Sequence, residues 1–222
     1  MNIRTSMMAV PLLLLSTAAS TLGDDPSGKR DGWRTLFDGK STEGWEHVGP
    51  GKFVLEDGTL RTEGGMGLLW FTKEKFGDCV IRVVYKTTNR ASNSGVFVRI
   101  ADKPEDEWYA VHHGYEVQIN DSADPFHRTG AIYSLSKADK QPGKIGEWNT
   151  LEITLKGDLV LVSVNGEKVN EFDPSGPVPE RTKDYEPERG PRPKAGYVGI
   201  QNHDDYADGT HVYFKEISVR PL

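Results

Sequence analysis

The segment Gly114–Asp121 (GYEVQIND) concentrates side chains that could do chemistry. Read as a strand, it sends Tyr115, Val117 and Ile119 to one face and Glu116, Gln118 and Asn120 to the other. A solvated sheet face usually mixes Lys, Thr and Glu. A row of Glu, Gln and Asn instead offers donors and acceptors that suit sugar hydroxyls. Gly95–Ile100 divides the same way, with Val96, Val98 and Ile100 against Phe97 and Arg99, and Asn93 in step with the second set. If these two strands pair, Arg99 and Glu116 become neighbours on the polar face. They would be either parts of a site or a plain cross-strand ion pair. Gln201 and His203 form a third polar row, opposite Val198, Ile200 and Asn202. A histidine titrates near neutrality, as a general acid or base must, although one at a strand end also serves as a surface hydrogen-bonder. Trp45, Trp70, Trp108, Tyr133 and Trp148 could supply a stacking platform for a sugar ring, and each alone also fits a core.

Other chemistries are poorly served. His112-His113 with Glu116, and His203-Asp204-Asp205 with Asp208 and His211, gather imidazoles and carboxylates. Neither follows the HExxH or EF-hand arrangement, and Asp204–Gly209 reads more simply as a polar turn than as a Ca²⁺ site. No metal ligand is assigned. The sequence holds no GxSxG elbow and no glycine-rich loop before a helix, and the single cysteine, Cys79, falls on the apolar face of a strand. Conventional glycoside hydrolysis needs two carboxylates about 5–10 Å apart. Glu116 and Asp121 are the available pair, but five residues of strand span roughly 16 Å and opposite parity separates their faces. Only a β-bulge between them could bring Asp121 round.

The elements that must position these groups are strands. Apolar residues recur with period two in Asp78–Thr87, Leu151–Lys156, Gly95–Ile100, Tyr115–Asn120, Tyr197–Gln201 and His211–Val219. Leu159–Val164, Asn165-Gly166 and Glu167–Phe172 make a hairpin with the turn dipeptide most characteristic of one. No long helical stripe is visible, and Lys73–Phe76 would allow one turn at most. About a dozen short strands without long helices predict an all-β sandwich or barrel. Residues 173–195 carry six prolines, which cannot donate to a ladder, so the segment is expected to be a long loop covering the edge of a binding face.

The 222 residues suffice for one domain with its own core, and 27 Lys+Arg against 33 Asp+Glu leave a net charge of −6. That balance argues against nucleic acid or an anionic membrane as partner. Residues 1–23 run from Arg4 through the apolar Met7–Leu15 to small polar residues, the order of a secretory signal peptide, with the apolar run too short to span a bilayer. The expected organisation is a signal at 1–23, a linker at 24–30 and one domain at 31–222. Such a protein would be exported, to the periplasm or the medium, without a membrane anchor.

The motifs as a set resemble the 3-keto-disaccharide hydrolase family. They are Trp33–Gly39 (WRTLFDG), Gly44-Trp45, Asn93–Arg99 (NSGVFVR), Gly114–Asp121, Thr129–Tyr133, Glu147–Thr150, Asn165-Gly166, Gly199–His203 and Val212–Ile217, in order over residues 32–220. The resemblance implies a concanavalin-A-like jelly roll of two antiparallel sheets with the ligand on the concave one, and action on oxidised sugars. Its motifs fall on Asn93, Arg99, Glu116, Gln118, Asp121 and Gln201. Gln118 stands where jelly-roll endoglucanases carry an acid between their two catalytic carboxylates, which argues against ordinary glucan hydrolysis.

The activity so implied is cleavage of a 3-keto-glycoside by removal of the C2 proton, β-elimination and hydration. Glu116 is then expected as base, Arg99 as enolate stabiliser and His203 as acid. Asn93, Gln118, Asp121, Tyr133, Trp148, Gln201 and Trp70 are expected to bind substrate. No cofactor is required, although a divalent cation could replace Arg99 as electrophile. The expected partner is an oligosaccharide or glycoside. The alternatives are a carbohydrate-binding module without catalysis and a conventional two-carboxylate glycosidase.

Overall fold

At Asn165-Gly166 both residues take positive φ, 52° and 79°, the twist that a two-residue hairpin turn requires. Asp57-Gly58 does the same at 46° and 74°, closing a second hairpin. In the computed structural model, which describes residues 29–30, 32–204 and 209–222, such turns link fourteen strands and one short helix. In chain order the strands are β1 (Lys29–Arg30), β2 (Trp33–Phe37), β3 (Trp45–Val48), β4 (Lys52–Glu56), β5 (Thr59–Glu63), β6 (Gly65–Phe71), β7 (Cys79–Thr87) and β8 (Asn93–Ile100). Helix α1 (Tyr109–His113) follows, then β9 (Tyr115–Asn120), β10 (Asn149–Lys156), β11 (Leu159–Val164), β12 (Glu167–Phe172), β13 (Tyr197–Asp204) and β14 (Val212–Pro221). The expected signal segment lies outside the described residues. Of the expected linker, Lys29 and Arg30 form β1, which pairs antiparallel with β2.

The strands make two antiparallel sheets, as the sequence predicts. Nine strands form the larger, along the path β1-β2-β14-β7-β10-β11-β12, with β4 and β5 joining through β14. The smaller is ordered β3-β6-β13-β8-β9. The core lies between them. Cys79, Ile81, Val83 and Tyr85 of β7 and Leu151, Ile153 and Leu155 of β10 meet Val96, Val98, Tyr115, Val117, Ile119, Val198 and Ile200 of the smaller sheet. Each fully buried side chain of this kind contributes about 1.5–3 kcal/mol.

The outer face of the smaller sheet is covered only in part. Leu68, Trp70, Phe97 and Ile100 pack beneath Ala110 and Val111 of α1, and the rest of that face stays open beside it. The helix is not foreseen from periodicity, because five residues are too few to display a stripe. Lys73–Phe76, where a turn of helix could have formed, has none.

Candidate active site

Strand β9 pairs with β8 in one unbroken register, Asn93 opposite Asn120, Gly95 opposite Gln118 and Phe97 opposite Glu116. Strand β13 pairs with β6 on its other side, Gln201 opposite Leu68 and His203 opposite Met66. Period two then delivers Asn93, Glu116, Gln118, Gln201 and His203 to a common cleft of about 290 Å³ on the open face. Tyr133 joins them because its backbone N–H bonds to the Glu116 carbonyl. Met66, Trp108, Val111 and Tyr185 also line it, and among the described residues Glu116 is the only carboxylate in the lining.

Glu116 is the chemically distinctive group. It is 5% exposed, and its Oε1 is buried without a hydrogen-bond partner. Burial pushes its pKa up to about 8, against the opposing effect of a hydrogen bond from the Gln201 side chain. Gly95 makes this position attainable: a Cβ there would lie 2.3 Å from Glu116 Oε1 and 2.7 Å from its Cγ, so the carboxyl can lie across β8 only because residue 95 has no side chain. Asn93 Oδ1 and Gln201 Oε1 are likewise buried and unpartnered. Three acceptors without donors in one cleft match a ligand rich in hydroxyls. Gln118 Oε1 accepts from the Ile119 N–H at 3.1 Å, which leaves its amide NH₂ for the cleft. The Tyr133 hydroxyl is driven up to about 12 by burial and by the Glu116 charge, so it stays protonated and can donate.

Four expected site residues lie elsewhere. Arg99 leaves the polar face at a bulge: β13 runs from Gly199 opposite Phe97 to Tyr197 opposite Ile100, which puts an extra residue in β8, and Arg99 takes φ 55°. Alternation restarts with Ile100 beside Phe97 in the cluster under α1. The guanidinium, 1% exposed, instead reaches the carbonyl of Gly157, in the turn between β10 and β11 of the other sheet. Asp121 follows Ile119 in parity and accepts from the Thr129 hydroxyl at 2.7 Å. Since β9 carries no bulge, the Glu116–Asp121 pair of a conventional glycosidase is not assembled. Trp70 is 1% exposed beneath α1, its ring edge-on to Tyr197. Trp148 lies against Lys86 and Lys215 of β7 and β14, on the larger sheet.

The Pro-rich segment is the loop expected at the edge of the cleft. Arg192 docks it, donating to the carbonyls of His112 and Gly114 at 2.8 and 3.0 Å and lying over the Tyr115 ring. Tyr185 of this loop, with Met66, Trp108 and Val111, escaped the sequence assignment. Only Trp108 had a signal there, as one of several aromatics. Cys79 is buried, its thiol pushed up to about 11 by desolvation, as its apolar parity predicts. Among the described residues no three His, Cys, Asp or Glu side chains are grouped to hold a metal ion. Residues 205–208 of the acidic turn lie outside those described.

A sequence comparison over residues 32–220 matches the 3-keto-alpha-glucoside-1,2-lyase-like domain. The chain belongs to that family. A Bacteroides thetaiotaomicron protein named 3-keto-disaccharide hydrolase is 28% identical over 171 residues, which are 64% of this chain and 59% of the relative's length. A provisionally assigned glycosyl hydrolase of Parabacteroides distasonis superposes with TM-score 0.66 at 27% identity, covering 86% of this chain and 99% of the other. The carbohydrate-binding module CBM66 of Bacillus subtilis shares the fold alone, with TM-score 0.53 at 13% identity over 80% of this chain and 95% of that one. Within the lyase-like family the cleft around Glu116 is the feature to explain. No described helix is long and apolar enough to cross a membrane.

Proposed function

We propose that this domain cleaves 3-keto-glycosides, with Glu116 as the base that removes the proton on C2. A ketone at C3 acidifies that proton. The electron pair moves to the C3 oxygen as an enolate and returns to expel the C1 substituent, breaking C1–O and forming C1=C2. The leaving oxygen takes a proton. Water then adds its hydroxyl to C1 and a proton to C2, so the net change is hydrolysis. The observation that carries this reading is the buried Glu116 carboxyl with a pKa of about 8 and, among the described residues, no second carboxylate in the cleft lining. A displaced pKa makes a carboxylate a stronger base near neutral pH, and a lone carboxylate fits elimination better than two-carboxylate hydrolysis.

The remaining roles follow from the cleft's donors. Arg99 is excluded by its position, so the enolate oxygen is assigned to the Tyr133 hydroxyl and the Gln201 amide. His203 is assigned as the acid at the leaving oxygen, and Asn93 and Gln118 orient hydroxyls. Exported action on a glycoside remains part of the proposal, resting on the sequence alone. A non-catalytic binding module would use the same acceptors, but it has no need of a base with a raised pKa. Incubating Glu116→Gln and the wild type with oxidised and unoxidised disaccharides, with and without chelator, separates the readings. A base contributes about 10²–10⁴-fold, so the variant should lose at least 10²-fold in turnover of the oxidised sugar alone. Near-normal turnover would remove Glu116 from the role, and binding without product in the wild type would favour the module.

A further inference from the structure

The loop between β9 and β10 carries a chain of hydrogen bonds that leads from the exposed Asp124 to the cleft. Asp124 Oδ2 lies 2.7 Å from His127 Nδ1, and His127 Nε2 lies 2.8 Å from the Ser134 hydroxyl. The Ser134 side chain bonds in turn to the hydroxyl of Tyr133, in the cleft lining. The His127 ring meets the Tyr133 ring edge-on, with centroids 5.1 Å apart. Backbone bonds fix the geometry: Asp124 Oδ1 accepts the Phe126 N–H at 2.9 Å, the Phe126 carbonyl accepts that of Ser134 at 3.1 Å, and the Glu116 carbonyl that of Tyr133 at 2.9 Å. Ser134 is 5% exposed and takes φ 55°, a left-handed conformation that is strained for a residue other than glycine and recurs at working sites. Asp, His and Ser stand in the order of an acyl-transfer triad, but the N–H groups of Ser134, Leu135 and Ser136 all bond to backbone carbonyls, so none of them is left to hold an oxyanion.

The chain serves Tyr133 instead. Partial burial opposes it, but hydrogen bonds from His127 and from the Phe126 N–H keep the Asp124 carboxyl below the ordinary carboxylate range. An ionised Asp124 keeps the hydrogen on Nδ1 and stabilises an imidazolium. The imidazolium Nε2–H donates to Ser134, whose O–H then donates to the Tyr133 oxygen, and the phenol O–H is left for the cleft. Resting on the assignment of Tyr133 to the enolate oxygen, we infer that Asp124, His127 and Ser134 are positioning residues that form a proton relay behind Tyr133. As Glu116 takes the C2 proton, Tyr133 gives its own to the C3 oxygen, Ser134 replaces it, and His127 Nε2 replaces that of Ser134. Three O–H bonds form while two O–H bonds and one N–H bond break, so the enolate becomes an enol and the imidazolium a neutral imidazole. Each proton returns by the same path when the C1 substituent is expelled. The relay spares Tyr133 a phenolate, which its burial opposes.

Turnover of a 3-keto-disaccharide by single and combined variants tests this. Ser134→Gly deletes the hydroxyl at a φ that glycine adopts freely, and His127→Phe keeps a ring beside Tyr133 without its nitrogens. Each should lower kcat about tenfold with KM within about twofold, the size of effect that contacting residues share. Together they should cost no more than either alone, because the chain acts as a unit. Tyr133→Phe should cost at least as much, and in its background neither variant should cause a further loss. Asp124→Asn, at the exposed end of the chain, repeats the test if either variant misfolds. Near-normal kcat in these variants, or losses of the same size in the Tyr133→Phe background, overturns the relay and leaves the proposed activity standing. Full activity in Tyr133→Phe removes the enolate assignment and the relay with it, while Glu116 keeps its role. A wild type that turns over no 3-keto-glycoside overturns the proposed activity and the relay together.

Discussion

Replacing Glu116 by Gln should stabilise the protein, and by an amount that depends on pH. In the unfolded chain the carboxyl titrates at an ordinary 4.5; in the folded chain burial raises it to about 8. Between those values the folded state binds the extra proton, so each unit of rising pH costs it up to about 1.36 kcal/mol. The penalty is absent below pH 4.5, grows through the window and levels off above 8, with a ceiling of about 5 kcal/mol. Gln fills the same space, keeps an acceptor for the Gln201 amide and does not ionise. Urea unfolding of both proteins, followed by tryptophan fluorescence at pH 5, 6, 7, 8 and 9, reads the difference, provided the slopes m agree. Near pH 5 the curves should almost coincide. At pH 9 the variant should be the more stable by about 3–5 kcal/mol. Groups common to both proteins cancel. A difference independent of pH, or a wild type that gains on the variant at high pH, would refute the buried, proton-holding carboxyl.

Gly95→Ala should displace the carboxyl, since the new Cβ would lie 2.3 Å from Oε1; turnover of a 3-keto-glycoside is expected to fall at least 10-fold while the circular dichroism spectrum is retained. In a His203→Gln, His127→Phe background, where no acid titrates at the leaving oxygen or behind Tyr133, the pH profile of kcat/KM should rise with unit slope to a plateau above about 8, leaving roughly a tenth of the maximum at pH 7; a profile flat from pH 6 to 9 contradicts the assignment. Arg99→Met should leave kcat within about twofold, because the guanidinium points away from the cleft. The unfolding midpoint should stay level or rise, since Nε and Nη1 are buried and unpaired.

Much of this was legible in residue spacing. Period two sorted Tyr115, Val117 and Ile119 into the core and Glu116 and Gln118 onto the open face, and placed Gln201 and His203 together opposite Val198, Ile200 and Asn202. The Asn165-Gly166 turn declared its hairpin. What spacing could not reveal was the bulge, because one residue at φ 55° inverts the facing of Arg99 with no glycine or proline at that position, and Gly196, which packs against it, is distant in sequence. Nor could it rank the tryptophans: Trp70 is roofed by α1 while Trp108, at the start of that helix, is left exposed, and the helix itself is too short for a periodic signal. Tyr185 reaches the cleft only through long-range docking of a proline-rich loop, which no local pattern encodes. Gly95 carried a clue in its absence of side chain, but its meaning depended on knowing that β8 and β9 pair with Gln118 opposite it.

Turnover of a 3-keto-glycoside deuterated at C2, compared with the protonated substrate at saturating pH, tests the central claim most directly. If Glu116 takes that proton in a step that limits the rate, the wild type should cleave the deuterated compound several-fold more slowly, and the residual rate of Glu116→Gln should lie at least 10²-fold lower. Equal rates for the two isotopologues, together with a Glu116→Gln protein that retains most of its activity, would contradict it.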